Sequence, residues 1–257
     1  MTYALVRKIG SITKYAKGGP YQKWFGNDWL VVDWENNGKR IKEFVDENGK
    51  QKSRPQNEQY YLTEGITYCS TGSKGASFRL MRNDHLFDSG GSSIFTLNKI
   101  DVYVLLATLN SNLAKYIINC LNPTVNTQVG DIGRIPIVLE TSEEYDTICI
   151  LAKQNVAICE TKCGFSLIEY NFSQSPISST VDIFTSLNIY YNTENALRNR
   201  ACHSCASLYI YESRTGRNPP RKQRNVRPVA LSLLAFMTPR TPRQSAYRRT
   251  AKIIVRY

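Results

Sequence analysis

The sequence lacks the motifs that mark the common enzyme classes. It has no Walker A phosphate loop, no H-E-x-x-H zinc motif, no G-x-S-x-G nucleophile elbow and no pair of candidate catalytic carboxylates. Only two histidines are present, His85 and His203, which leaves few candidates for histidine-based catalysis. We therefore predict no catalytic residue in this chain.

Long apolar runs are also absent. No stretch approaches the roughly 18 apolar residues that a membrane span needs. Residues 1–10 lack the apolar core of a signal peptide. These absences predict a cytoplasmic protein with no membrane partner.

Acidic residues are scarce in the last quarter of the chain. Residues 196–257 hold 14 Lys and Arg against one acid, Glu212, which gives a net charge of +13. Residues 1–195 hold 19 bases and 20 acids, which gives −1. The overall charge of +12 therefore belongs to the tail, and a DNA-binding surface in the first 195 residues must be a local patch.

Cysteine is present in an odd number, seven, which predicts reduced thiols. Cys202, His203 and Cys205 supply potential zinc ligands, with Cys159 and Cys163 as a second pair. The upstream pair has C-x-x-x-C spacing and no zinc-knuckle turn flanks it, so ordinary thiols are the favoured interpretation. We predict no metal site.

The residues that are present indicate an α+β fold. It should comprise a small mixed sheet region with packed helices, followed by a disordered or irregular basic tail. Apolar residues at spacings of three and four predict one helix from Asp101 to Leu121, capped by Asp101 and ended by Pro123. Downstream, Gly130 and Gly133 predict a tight return that uses backbone angles other residues resist.

Strand signals lie upstream of that helix. Residues 30–32 predict a strand that enters a hairpin turn at Asn37 and Gly38. Even spacing of apolar residues from Tyr60 to Tyr68 predicts a half-buried strand. Residues 69–82 predict a hairpin whose loop is rich in glycine and serine.

Three phrases occur in one order: KGGPYQKWFGNDWLVVDWENNGKRIK, YYLTEGITYCSTGSKGASFRLMRNDHLFDSGGSSIF and LLATLNSNLAKYIINCLNPTVNTQVGDIGRIPI. Together they resemble the C-terminal target-recognition region of adenine-specific DNA methyltransferases. The similarity is greatest to the PglX methylases of BREX phage-defence systems, with Eco57I-like and TaqI-like restriction-modification methylases as wider relatives. The resemblance implies a target-recognition region at 1–177 and a divergent, basic, poorly ordered tail at 178–257.

The resemblance further implies a parent enzyme that flips an adenine out of double-stranded DNA and methylates its N6 with S-adenosylmethionine. The chemistry would lie in an N-terminal domain, so this chain is expected to be a fragment that binds no cofactor itself. Residues 87–91 superficially resemble part of a cofactor site, but their glycines are adjacent and no Rossmann helix follows. The Asn218-Pro219-Pro220-Arg221 segment has arginine where a catalytic aromatic ring is required. Implied partners are double-stranded DNA and a separate catalytic domain or other BREX components.

Seven residues are the candidates for DNA contact: Lys17, Tyr21, Lys23, Trp24, Lys74, Arg79 and Arg82. The first four place cations beside aromatic rings that can stack on bases, although the core of a small sheet is the favoured role for the tryptophans. The other three lie on the predicted hairpin, whose glycine-rich tip can approach phosphates closely. A plain surface hairpin explains that segment equally well.

Two other interpretations stay open. The basic tail alone could make the chain a non-enzymatic nucleic-acid-binding protein. The tail could also be residues appended by a shifted reading frame, and the chain a non-functional pseudogene product.

Overall fold

The computed structural model describes residues 12–96, 100–136, 142–175, 182–214 and 253–256. The strands are β1 (Ile12–Ala16), β2 (Val31–Asp33), β3 (Gly65–Tyr68), β4 (Phe78–Met81), β5 (His85–Phe87), β6 (Ser93–Thr96) and β7 (Ile253–Arg256). The helices are α1 (Glu35–Lys42), α2 (Val102–Asn110), α3 (Asn112–Leu121), α4 (Val129–Ile132), α5 (Ser142–Cys163) and α6 (Ile183–Arg214). Single 3-10 turns occur at Glu58–Tyr60 and Ser89–Gly91.

The strands form two sheets. Sheet one has the order β2-β1-β5, with β1 antiparallel to β2 and parallel to β5. Sheet two has the order β4-β3-β6-β7 and is antiparallel throughout. The predicted α+β fold with a small mixed sheet is confirmed.

Sheet two has an apolar face and a mixed face, because neighbouring residues of a strand point to opposite sides. Its apolar face packs on α2, α3 and α5 in the larger cluster: Ile66, Tyr68, Phe78, Leu80, Ile94, Leu105, Leu106, Leu109, Ala114, Ile118, Ala152 and Val156. The other face meets sheet one through a smaller cluster of Ala16, Met81, Phe87 and Phe95. Every residue of β3 is buried, so the prediction of a half-buried strand is wrong, since both faces of this central strand are covered.

The single helix predicted from Asp101 to Leu121 is two helices. Ser111 has extended backbone angles, and its hydroxyl accepts a hydrogen bond from the Ala114 N–H at 3.0 Å, which caps α3. Asn110, the last residue of α2, exchanges two hydrogen bonds with the backbone of Phe78 in β4, at 3.2 and 2.9 Å. The break therefore anchors the helix pair to sheet two. The predicted cap is confirmed, since Asp101 accepts from the Tyr103 N–H at 2.8 Å.

Two predicted glycine turns differ from the structure. Asn37 and Gly38 do adopt left-handed angles, with φ of 59° and 69°, but the chain continues into α1 and β2 pairs with β1 instead. The return after α3 contains the short helix α4, and Gly133 has a helical φ of −63°. The structure therefore does not use the left-handed backbone angles that glycine allows at this position.

Helix α6 occupies the first part of the segment predicted to be an irregular tail. The long helical segment of the methyltransferase family is not recognisable in the sequence there, so the prediction does not include this helix. Residues 215–252 lie outside the described residues, so the prediction for them, like the domain boundary at 177, stays a prediction. Within the described part of the chain, no helix combines the length and apolar character that crossing a membrane requires.

Candidate nucleic-acid interface

A cleft of about 650 Å³ opens beside the β3–β4 hairpin. Its walls come from four separate segments: the chain between β1 and β2, the hairpin loop, helix α3 and the loop that follows α3. The lining residues are Tyr21, Gly72, Ser73, Lys74, Gly75, Lys115, Asn119, Pro123, Thr124 and Val125. We call this feature the lysine cleft, after Lys74 and Lys115.

Backbone hydrogen bonds fix the hairpin loop against the loop after α3. The Gly72 N–H donates to the Val125 carbonyl at 2.9 Å, and the Thr127 N–H donates to the Ser70 carbonyl at 2.7 Å. The second loop is itself held by Asn122, whose amide donates to Asp131 in α4 at 3.0 Å. The cleft is therefore preformed by main-chain contacts.

The polar side chains of the lysine cleft face solvent. Lys74, Lys115 and Asn119 are all exposed, and neither lysine forms an ion pair with any of the described residues. The Tyr21 ring is 37% exposed, and partial burial raises the pKa of its hydroxyl, so the phenol stays neutral. The cleft thus combines two unneutralised cations with an aromatic face and an amide.

A second set of charges surrounds the buried side chains of His85 and Arg79, with Asp84 at its exposed edge. We call it the ionic layer; its members are Lys14, Asp28, Arg79, Asp84, His85 and Glu169. A chain of close contacts links most of it: Asp28 Oδ1 to His85 Nε2 at 3.2 Å, His85 Nδ1 to Asp84 Oδ1 at 2.7 Å, and Asp84 Oδ2 to Lys14 Nζ at 3.1 Å. The three acids balance the three bases.

Glu169 joins the chain after α5 to the segment before β2. Its two carboxylate oxygens accept from the N–H groups of Asn27 at 2.9 Å and Asp28 at 2.7 Å. Asn27 has a left-handed φ of 68°, so these bonds stabilise a tight turn. The Tyr170 N–H also donates to the Asp28 carbonyl at 2.7 Å.

Burial and pairing shift the pKa values in the ionic layer. Burial alone would lower the pKa of His85, but the carboxylates of Asp28 and Asp84 outweigh it and raise the pKa to about 9. His85 and Lys14 hold the pKa of Asp84 well below its usual range. Burial lowers the pKa of Arg79, an effect opposed by Asp28, Cys69 and Glu169.

Comparison with known proteins relates most of the chain to two enzymes. It is 30% identical over 164 residues to the adenine-specific methyltransferase BrxX of Escherichia coli O9:H4 (strain HS), which covers 63% of this chain and 13% of that protein. It is 33% identical over 170 residues to the adenine-specific methyltransferase PglX of Lacticaseibacillus casei (strain Zhang), which covers 66% and 13%. The matched part is a BREX-type methyltransferase-related region. The predicted resemblance is confirmed, and no family model matches the chain.

Within this methyltransferase-related region, two of the seven candidate DNA contacts meet in the lysine cleft, Tyr21 and Lys74. Lys17 pairs with Asp88 at 3.6 Å, and Arg82 pairs with Glu160 at 2.7 Å. Lys23 donates to the Asn110 carbonyl at 2.8 Å, at the end of α2. These three cations are engaged by the protein, and their contact with DNA stays a prediction.

Trp24 and Arg79 are buried. Trp24 is 7% exposed and lies beside β4 in the larger cluster, which agrees with the core role that the sequence favoured. Arg79 is 1% exposed, and none of its guanidinium nitrogens has a hydrogen-bond partner among the described residues. Arg79 lies on the predicted hairpin, in β4, but the protein covers its side chain, and its contact with DNA stays a prediction. A base contact by Arg79 has no support in this geometry.

Sequence reasoning missed Lys115, Asn119 and the ionic layer. Lys115 had a signal, since it is a charged residue of the predicted helix outside the buried set Ala114, Ile117 and Ile118. The ionic layer had none, because the contact between Asn27 and Glu169 spans 142 residues.

Residues 87–91, which superficially resemble part of an S-adenosylmethionine site, form a turn held by its own side chain and backbone. Asp88 uses its Oδ1 to accept from the N–H groups of Gly90 and Gly91, at 2.8 and 3.1 Å, so it caps its own turn. A Cβ at Gly91 would lie 2.4 Å from the Ala16 carbonyl oxygen, so that glycine serves packing against β1. The residues 218–221 lie outside the described residues.

The described cysteines form no disulfide bond with one another, and their reduced state stays a prediction. No group of His, Cys, Asp and Glu side chains suited to a metal ion occurs in the part of the chain that the structure describes. The side chains of Cys202, His203 and Cys205 lie outside it.

Proposed function

We propose that this chain carries DNA target recognition for an S-adenosylmethionine-dependent adenine N6-methyltransferase of the BREX type, in phage defence or restriction-modification. The observation that carries the proposal is the combination of the methyltransferase relationship with a preformed cleft bearing two unpaired lysines. The matched region spans 13% of each curated relative, so catalysis is assigned to a part of the enzyme outside it. Cofactor binding is assigned there as well, and the cytoplasmic location stays a prediction.

The charge distribution supports a local DNA contact at the lysine cleft. Residues 1–195 are nearly neutral overall, and the ionic layer cancels its own charge. Exposed cations without a carboxylate partner attract phosphate, whereas paired cations lose most of that attraction. Lys74 and Lys115 meet this condition on one surface, so they are the phosphate contacts of the proposal.

A second candidate function is non-enzymatic nucleic-acid binding through the tail. The net charge of +13 in residues 196–257 favours it. Such binding depends on salt and is indifferent to sequence. It therefore predicts no influence on which adenine is methylated.

A chimera separates the two functions. The matched region of the Lacticaseibacillus casei methyltransferase would be replaced by the matched region of this chain, without the tail, and modified adenines would be mapped by sequencing. We expect methylation in a new sequence context, because base contacts in this region set the site. Methylation in the original context would contradict the proposal. Loss of all methylation is resolved by circular dichroism and cofactor binding: a folded chimera that binds cofactor but methylates no site also contradicts it.

A further inference from the structure

The lysine cleft is concave, and its size suits a small ligand. Its volume of about 650 Å³ falls within the range of roughly 300–1,000 Å³ that small-molecule sites occupy. The hairpin tip adds little bulk: a Cβ at Gly75 would meet nothing within 4 Å, and at Gly72 the nearest atom would be 3.8 Å away. A rigid duplex can lie across such a cleft but cannot enter it.

The side chains of the cleft match the chemical groups of a nucleotide. The exposed part of the Tyr21 ring offers a flat surface for stacking, and the Asn119 amide offers both a donor and an acceptor for a base edge. Lys74 and Lys115 supply positive charge for a phosphate. No carboxylate lines the cleft, so nothing there repels an anion.

We propose that the lysine cleft binds one unpaired nucleotide of DNA, with its base against Tyr21 and its phosphate near Lys74 and Lys115. The inference rests on the proposed function and names the form of DNA that the site takes. In a paired duplex, each base already stacks on its neighbours and uses its pairing edge. The Tyr21 ring therefore stacks only on a base that has left the stack, and Asn119 reaches the pairing edge only of such a base.

The test compares two short duplexes of one sequence, one fully paired and one carrying a single bulged 2-aminopurine nucleotide. Affinities for the full chain are measured by fluorescence anisotropy at fixed salt, and 2-aminopurine emission reports stacking. We expect tighter binding of the bulged duplex and quenched emission. The ratio of the two affinities removes the contribution of the basic tail, since the tail meets the same phosphates in both.

Three variants test whether the preference for the bulged duplex comes from the lysine cleft. Tyr21→Ala should reduce the preference for the bulged duplex by at least about fivefold, because base stacking on an aromatic ring is lost. Tyr21→Phe keeps the ring and should keep the preference. Tyr191→Ala removes a tyrosine on α6 that is 59% exposed and outside the cleft, and should change nothing.

The outcomes distinguish this inference from the proposed function. Equal affinity for both duplexes would overturn the unpaired-nucleotide site, and so would an unchanged preference in Tyr21→Ala. Neither result bears on DNA recognition, which the chimera tests separately. A preference lost equally in Tyr191→Ala would also overturn it. If the chimera keeps the original methylation context but the bulge preference depends on Tyr21, the cleft binds nucleotides without setting the site.

Discussion

The lysine cleft and the ionic layer both contain basic side chains, which are exposed and without ion-pair partners among the described residues in the cleft and mostly buried beside carboxylates in the layer. Lys74 and Arg79 lie five positions apart on one hairpin, yet Lys74 is exposed without an ion-pair partner among the described residues and Arg79 is buried near Asp28 and Glu169. The alternation of β4 explains this difference, since Phe78 and Leu80 face the helices while Arg79 faces sheet one. A cation beside the exposed hairpin tip can reach DNA, whereas a cation buried within the strand contributes to the fold.

The contrast between the lysine cleft and the ionic layer predicts that substitutions in the ionic layer reduce stability. The largest loss of stability should come from Glu169. We expect Glu169→Ala to lower the free energy of unfolding by about 3 to 5 kcal/mol, as when one partner of a buried charged set is removed. The substitution also leaves the N–H groups of Asn27 and Asp28 without acceptors. Urea unfolding followed by circular dichroism measures the change.

Glu160→Ala is the matched control, because it removes a carboxylate whose pair with Arg82 is partly exposed. Its cost should be about 1 kcal/mol or less. Equal losses in the two variants would show that the ionic layer is no more important than a surface pair.

The next effect is a dependence of stability on alkaline pH through His85. Its pKa is raised from 6.5 to about 9 in the folded chain, so the folded state binds its proton more tightly than the unfolded state. The resulting stability is fully present below pH 6.5 and is lost as pH rises through 9. The loss should be about 3 kcal/mol.

Urea unfolding at a series of pH values tests this expectation, with His85→Gln as the reference. The difference between the two proteins isolates the contribution of His85 from those of other titrating groups. A constant difference between pH 6 and 10 would contradict the raised pKa. In acid, the lowered pKa of Asp84 predicts a further loss as pH falls below its usual range.

Local signals in the sequence predicted part of this arrangement. The capping carboxylate of Asp101, the β3–β4 hairpin and the exposed tip at Lys74 each depend on a few neighbouring residues, and each agrees with the structure. The break at Ser111 was missed because the apolar spacing continues across it. What separates α2 from α3 is the serine cap together with the bonds from Asn110 to β4, and the latter are tertiary contacts.

The ionic layer could not be predicted from local patterns. Arg79 alternates with Phe78 and Leu80 in β4, a pattern that predicts a cation facing solvent. Its burial depends on Glu169 and Asp28, which come from distant segments. The parallel pairing of β1 with β5 likewise joins Lys14 to His85, residues 71 positions apart. Such long-range pairings have no period that a sequence window can register.

The smallest expected effect separates free from paired cations on the surface. Lys74→Ala and Lys115→Ala should each lower the slope of log affinity against log salt by about 0.9, the value for one lost phosphate contact on duplex DNA. Neither should change stability, because neither side chain is paired within the described residues. Arg82→Ala should leave the slope unchanged, since Glu160 already neutralises Arg82 at 2.7 Å and its guanidinium lies over the Phe25 ring. Filter binding of the full chain to one duplex across a salt series measures all three. If Arg82→Ala lowers the slope as much as Lys115→Ala, the ion pair opens on DNA and pairing in the free protein does not decide which cations bind.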